Sequence, residues 1–527
     1  MTMIDATTTP FRPAARFPRG LILVLVAAVG VPVAAAAATG GLSISHNDAW
    51  AHSRIASRFA SGGGLHLVGW NRSSLVGQLV ALGPLGRWVT VQSLAVAVAA
   101  VCALVATYAL VARAATRTEG IFAAAIVGAV PGFGLLSTSF MSDIPALALS
   151  TSSLLVGGSA LERRSPKLLA IAALLGVLGV TVREQAVAAP VAVLIVAVFM
   201  WRKTPQFKAA VALLAATVAT VLVFELWRRG LPNDDPLPTH FALTNLGRTP
   251  VRLVCTLALF LSPAVFLTAR PRSWNRSARI AAVVVLVGIV AIRAGTGSVL
   301  LGNYLDRNGA YAGAMTGNPN VIPAFLLGAA ELVGIASAVL LAGSLVNGWR
   351  TIRPELMVFF VIVGVGTLYQ IGVGQTVFDR YALPLLPPLL AVLLVPAKHS
   401  RPAVVRSAAC LALTIVLAVP IMLNALARDT ARWDAAEALS RSGVPAMSID
   451  AGLEWLGWHS ADGVNGPSAD PVDPTASWYS NLFLDARRCI VVATSPQPTG
   501  ELVGEYGYRT FAVVGHSSMY IYAVDPC

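Results

Sequence analysis

Apolar residues gather into thirteen stretches, near 20–39, 89–112, 121–138, 145–161, 168–182, 185–200, 209–227, 250–269, 280–299, 321–346, 356–374, 381–396 and 407–424. Each is long enough, or nearly so, to cross about 30 Å of hydrocarbon as a helix rising 1.5 Å per residue. The polar connections between them are short and alternate in charge. With the residues before the first span cytoplasmic, every second connection is basic: Arg12/Arg16/Arg19, Arg113/Arg117, Arg163/Arg164/Lys167, Arg202/Lys203/Lys208, Arg270/Arg272/Arg276/Arg279, Arg350/Arg353 and Lys398/Arg401/Arg406. The opposite connections hold Asp48, Asp143, Asp234, Asp235, Asp306 and Asp379. This is the positive-inside pattern, and an odd number of crossings places the C-terminal segment on the side of the acids. The expected fold class is an all-α polytopic membrane protein of about 13 transmembrane helices with a small C-terminal extracytoplasmic α/β domain. Its parts would be a cytoplasmic tail, 1–19, a transmembrane domain, 20–425, and an outer domain, 426–527.

The outer loop 41–88 shows a helical period. Ala51, Ile55 and Phe59 recur at i, i+4 and i+8, with Trp50, Arg54 and Arg58 on a neighbouring face, which predicts an amphipathic helix lying along the outer interface. Asn47 or Asp48 would cap it. In the C-terminal segment, Arg428–Gly443 predicts a helix, Ala446–Asp450 a strand, and 488–494, 508–514 and 518–524 further strands. The apolar run after Arg19 ends in small residues, as a cleaved leader does, but its length favours an uncleaved first helix.

Composition narrows the class. With 56% hydrophobic and 12% charged residues and a mean hydropathy of +0.72, the chain is not an ordinary soluble enzyme. Lys and Arg number 38 against 25 Asp and Glu. The excess is spread over loops beside anionic headgroups, so the lipid bilayer and not a nucleic acid is its partner. Cys102, Cys255 and Cys410 fall in spans, whereas Cys489 and Cys527 fall in the outer domain, where oxidising conditions would permit pairing. No Cys/His cluster suggests a zinc site, and no Gly-rich phosphate loop suggests a nucleotide.

Candidate chemistry lies on the outer side. Asp48 follows the first span closely. Asp143 sits in the short turn Phe140-Met141-Ser142-Asp143-Ile144-Pro145, where an N-cap is the bland role. Arg183, Arg307 and Arg380 stand on the side that disfavours basic residues, each next to an acid: Glu184, Asp306 and Asp379. Each therefore reads either as half of a local ion pair or as a guanidinium for a lipid-linked phosphate.

The first-loop acid, the turn at 140–145, Val182-Arg183-Glu184-Gln185 and Arg380-Tyr381-Ala382-Leu383-Pro384-Leu385-Leu386-Pro387 together resemble the GT-C glycosyltransferases. The likeness is to the bacterial branch related to protein O-mannosyltransferases and the aminoarabinose transferase of lipid A, glycosyltransferase family 39. The resemblance implies inverting transfer of a sugar, mannose or a pentose, from a polyprenyl-phosphate donor to a cell-envelope acceptor on the outer face of a bacterial plasma membrane. It implies Asp48 as general base, Asp143 as a second catalytic acid, and Arg183, Arg380, Tyr381 and Arg307 at the donor phosphate. His52, Trp455 and Trp458 would contact acceptor or sugar. Protein O-mannosyltransferases carry Asp-Glu where this chain has Asn47-Asp48, so glycan, lipid and protein acceptors all stay open. No cofactor is required; a divalent cation at the phosphate is compatible, though no spacing of ligands points to a tight site. The rival class is a multispanning transporter or lipid-linked-sugar flippase, for which Glu225 and Glu331 are the in-span acids to consider.

Overall fold

The computed structural model of the protein describes residues 18–524 apart from 69, 71–72, 74, 232–239, 297, 395–398, 462, 465–476 and 512–513. Arg12, Arg16, Asp234, Asp235, Lys398 and Cys527 thus lie outside the described residues.

The protein is a multispanning membrane protein, and each of the thirteen stretches carries helix. Among the described residues nine helices are long and apolar enough to span: Arg19–Thr39, Val89–Ala114, Asp143–Arg163, Glu184–Trp201, Phe207–Arg229, Arg276–Gly295, Ala324–Thr351, Pro354–Gly372 and Arg401–Arg441. Leu243–Phe260 and Ser262–Thr268, bent by 71° at their junction, make a tenth if counted as one span. The remaining three stretches are shorter or broken, and proline explains two of them. Arg117–Gly128 stops before Pro131-Gly132 and resumes as Phe133–Leu136. Asp379–Leu385 is a 3₁₀ turn containing Pro384, followed by Leu386–Leu393 with Pro387 and Pro388 in its first turn. The third, Pro166–Val182, is a regular helix of 17 residues, about 26 Å long.

Small residues let the spans approach one another. A Cβ on Gly176 would collide with Pro190, and one on Gly343 with the Trp274 ring. Large apolar side chains such as Phe199, Leu222, Val223 and Val284 face outward, as a lipid solvent demands.

The last helix, Arg401–Arg441, runs unbroken for 41 residues, about 60 Å. It leaves the membrane as span and continues as the spine of the C-terminal domain, so the expected boundary at 425/426 falls inside one helix. The domain holds a four-stranded sheet in the order β1-β2-β4-β3: β1, Ile449–Asp450; β2, Ile490–Ala493; β3, Glu501–Thr510; β4, Gly515–Ala523. β1 and β2 are parallel and the other pairs antiparallel. β3 begins earlier than the expected 508, because Gly504 and Gly507 dilute the apolar signal of its first half. Cys489 is disulfide-bonded.

The outer-loop helix forms over Ala49–Ala60. It does not lie on the lipid interface. Trp50, Ala51, His52, Ser53, Ile55 and Ala56 are buried, and Trp50 packs edge-on to Phe483 of the C-terminal domain, with ring centroids 5.9 Å apart. The helix is the layer between membrane domain and C-terminal domain.

Candidate active site

Asp48 occupies the N-cap position of the outer-loop helix, yet its side chain makes no capping bond. Instead Oδ1 accepts from Trp70 Nε1 at 2.8 Å and Oδ2 from Arg380 Nη2 at 2.7 Å. Burial pushes the Asp48 pKa up, but the charge of Arg380 and the two hydrogen bonds outweigh it and hold the carboxyl below its ordinary value. The group is an ionised acceptor locked between two donors.

Arg380 is free to reach Asp48 because its sequence neighbour is occupied elsewhere. Asp379 accepts the backbone N–H groups of Tyr304 at 2.9 Å, Leu305 at 2.5 Å and Arg380 at 2.7 Å. The local Asp379–Arg380 pair therefore does not form, and a pair between residues 332 apart in sequence forms instead. Arg380 is 6% exposed, and its Nε and Nη1 are buried without a partner among the described residues. Unmet donors on a buried guanidinium cost stability and mark a place where a ligand completes the set.

The second acid behaves alike. Ser142 and Asp143 begin the helix Asp143–Arg163 without a side-chain capping bond. Asp143 Oδ1 pairs with Arg183 Nη1 at 3.0 Å, and Arg183 also donates to Ser142 Oγ at 3.2 Å. Arg183 thus bypasses Glu184, which faces Arg228 at 3.6 Å. Asp143 Oδ2 is buried without a partner among the described residues. The Tyr381 ring stands between the two cations, its centroid 5.1 Å from the Arg183 guanidinium and 5.8 Å from that of Arg380. Asp143, Arg183, Arg380 and Tyr381 line one crevice with Gln185 and Phe359, of about 20 Å³. That is room for about one water.

The other sequence candidates are placed differently. His52 is buried behind the site, its Nδ1 3.1 Å from the Phe140 carbonyl oxygen, and ties the outer-loop helix to the 140–145 turn. Arg307 is exposed and does not line the crevice. Trp455 is 1% exposed and donates to the Ala446 carbonyl in the core of the C-terminal domain. Trp458 is half-buried on a separate cleft. Among the described residues no group of three or more His, Cys, Asp or Glu side chains stands together as metal ligands. Of the in-span acids, Glu225 pairs with Arg228 and Arg229 and Glu331 with Arg293.

Behind Asp48 lies a buried polar network that sequence reasoning missed. His46 Nδ1 meets Asp429 Oδ2 at 2.9 Å, and Glu454 Oε1 accepts the Asn47 backbone N–H at 3.1 Å. Asp429 also accepts from Tyr311 at 2.6 Å, while Arg432 pairs with Glu454 at 3.0 Å. Asn47 has φ +51°, a left-handed turn that Asn tolerates. The two residues preceding Asp48 are therefore held by the extended last helix and the C-terminal domain. Trp70 was missed as well; an indole donor in an irregular loop leaves no periodic signal.

Comparison with known proteins gives one family match: residues 86–227 match the model of the family described as dolichyl-phosphate-mannose-protein mannosyltransferase. No curated protein sequence matches the chain. Among solved structures, the chain aligns with ArnT from Cupriavidus metallidurans bound to undecaprenyl phosphate at 14% identity and TM-score 0.39, over 84% of this chain and 85% of that one. It aligns with the Archaeoglobus fulgidus oligosaccharyltransferase in the apo form at 14% identity and TM-score 0.41, over 88% of this chain and 64% of that one. The matched segment 86–227 holds Asp143 and Arg183 but neither Asp48 nor Arg380, and over it the likeness to GT-C glycosyltransferases read from the loop motifs is borne out.

Proposed function

We propose that the protein is a membrane glycosyltransferase that moves a sugar from a polyprenyl-phosphate donor to a hydroxyl of a cell-envelope acceptor, with inversion, on the outer face of a bacterial plasma membrane. The observation that carries this reading is the buried Arg380, bound to Asp48 through one nitrogen while two others face the Arg183–Tyr381 crevice without partners. A phosphate diester offers the oxygens those nitrogens lack, and guanidinium takes them in a fork. The positive-inside charge pattern supports the orientation, and the family matched over 86–227 supports the donor class, with mannose or a pentose as the sugar.

Chemistry follows from this set of groups. The phosphate draws Arg380 and Arg183 onto its oxygens, opening the crevice and loosening the Arg380–Asp48 bond. Asp48 loses the charge that depressed its pKa and becomes a competent base. The acceptor hydroxyl gives its proton to Asp48 as its oxygen bonds to the anomeric carbon. The bond from that carbon to the phosphate oxygen breaks, and the electron pair leaves on the polyprenyl phosphate, whose charge the two arginines stabilise. Asp143 keeps Arg183 oriented. No step needs a metal.

The test is binding of undecaprenyl phosphate to purified protein. Arg380→Ala is expected to weaken it by about 10-fold or more, the worth of a charge-assisted hydrogen bond to a buried site. Unchanged binding in Arg380→Ala would refute the donor site.

A further inference from the structure

A cleft separate from the donor crevice starts beside Asp48. One wall is the outer-loop helix, contributing Arg54, Ile55, Ser57 and Arg58; a second is the non-helical run with His66 and Val68; the third is Trp458 of the helix Leu453–His459 in the C-terminal domain. Its volume is about 370 Å³, within the range of small-ligand sites.

Both walls of the membrane domain lead back to the base. Asp48 begins the helix, so Arg54 and Arg58 stand about 9 and 15 Å along its axis, and their i, i+4 spacing puts them on one face. The run containing His66 and Val68 leads on to Trp70, whose indole donates to Asp48. A molecule seated between these walls has one end at Asp48.

The lining also sets the chemistry of that molecule. Among the described residues the cleft is lined by two arginines and no carboxylate. Arg54 uses Nη1 on the Gly457 carbonyl at 2.7 Å, which fixes the helix to the C-terminal domain. Arg58 is exposed, makes only a 3.4 Å contact from Nε to the Gly63 carbonyl, and has no ion pair among the described residues. Trp458 offers a half-buried aromatic face, the usual platform for a sugar ring.

We propose that this cleft is the acceptor site and that it takes a saccharide bearing an acidic group, carboxylate or phosphate, with the acidic group on Arg58 and Arg54 and a ring against Trp458. The proposal rests on Asp48 being the base of the transferase reading above, and adds the class of acceptor to it. The base end of the cleft then receives the hydroxyl of a sugar unit removed from the acidic one, so the acid serves recognition and stays clear of the reaction.

Titrate the purified full-length protein with digalacturonate, with glucose 1-phosphate and with neutral maltose, and measure undecaprenyl phosphate binding on the same preparation. We expect at least one acidic probe to bind more tightly than maltose, and the tighter of the two identifies the acidic group. Arg58→Gln should weaken that probe by about 10-fold or more while leaving maltose and undecaprenyl phosphate unaffected. Arg58→Lys should restore part of the loss, and Trp458→Ala should weaken acidic and neutral saccharides alike. Retained undecaprenyl phosphate binding reports that each variant is folded. Equal binding of acidic and neutral probes, or an unchanged affinity in Arg58→Gln, overturns the proposal and leaves the donor site standing. Loss of the donor reading shows separately, as wild-type protein that binds the acidic saccharide in an Arg58-dependent way but does not bind undecaprenyl phosphate.

Discussion

Asp48→Asn moves two kinetic quantities in opposite directions if Asp48 is both the base and the resting partner of Arg380. In the wild type, each carboxylate oxygen accepts from one donor, Trp70 at 2.8 Å and Arg380 at 2.7 Å. An amide has one acceptor oxygen, so its NH₂ group must face either the indole N–H or the guanidinium. One charge-assisted bond is lost, at a cost of about 1.5–3 kcal/mol in stability. The fold should survive this, because neither bond caps the helix. The amide has no useful basicity, so turnover should fall by about 10²–10⁴-fold, or about 2.7–5.4 kcal/mol in the barrier. Donor affinity should instead rise. Arg380 is no longer held by a carboxylate, and replacing a charged by a neutral partner is worth about 1 kcal/mol, or about fivefold in Kd. Single-turnover kinetics with a lipid-linked sugar, together with direct undecaprenyl phosphate binding, measures both. Turnover near that of the wild type removes Asp48 as base, and weakened donor binding refutes the competition between Asp48 and phosphate for Arg380.

Three further outcomes are expected. The Asp48 carboxyl is depressed in the free protein, so its stabilising contribution is present above the unfolded value of 3.8 and is lost as pH falls through the folded one; the acid limb of kcat/KM, which reports the free enzyme, should accordingly lie at lower pH than that of kcat, where phosphate has taken Arg380, and coincident limbs would contradict the switch. Glu454→Gln breaks the wholly buried pair with Arg432 and weakens the hold on Asn47, so thermal unfolding should show a loss of about 3–5 kcal/mol, with the surviving protein losing kcat more than donor affinity; a full-activity, full-stability variant would sever the C-terminal domain from the site. A thiol introduced at Ser61 should react with an impermeant reagent added outside cells, and one at Ser165 should not; the reverse would invert the orientation.

Much of the membrane domain is legible in the sequence because lipid imposes a strong rule: apolar length gives helices, and charge alternation sorts their connections. That rule also exposed Arg183 and Arg380 as residues on the wrong side. It could not find their partners. The sequence offers Glu184 and Asp379 next door, whereas the fold spends Asp379 on backbone amides of 304–305 and sends Arg380 to Asp48. Long-range pairings of this kind are set by packing of distant loops and leave no local trace. The outer-loop helix shows the same limit: its period was readable, but a face carrying Trp50 looks lipid-facing until the C-terminal domain that covers it is placed. The break of span 12 was readable from Pro384, Pro387 and Pro388, while the continuity of Arg401–Arg441 was obscured by the change from apolar to charged composition along one uninterrupted helix.

The central claim, that the Asp48–Arg380–Arg183 site performs sugar transfer, is tested most directly by reconstituting the purified protein in liposomes with a labelled polyprenyl-phosphate sugar and an acceptor saccharide and following the bond between sugar and phosphate. The account predicts release of polyprenyl phosphate with a glycoside product of inverted anomeric configuration, abolished in Asp48→Asn. Donor that crosses the bilayer with that bond intact would contradict it and would make the protein a carrier of lipid-linked sugar.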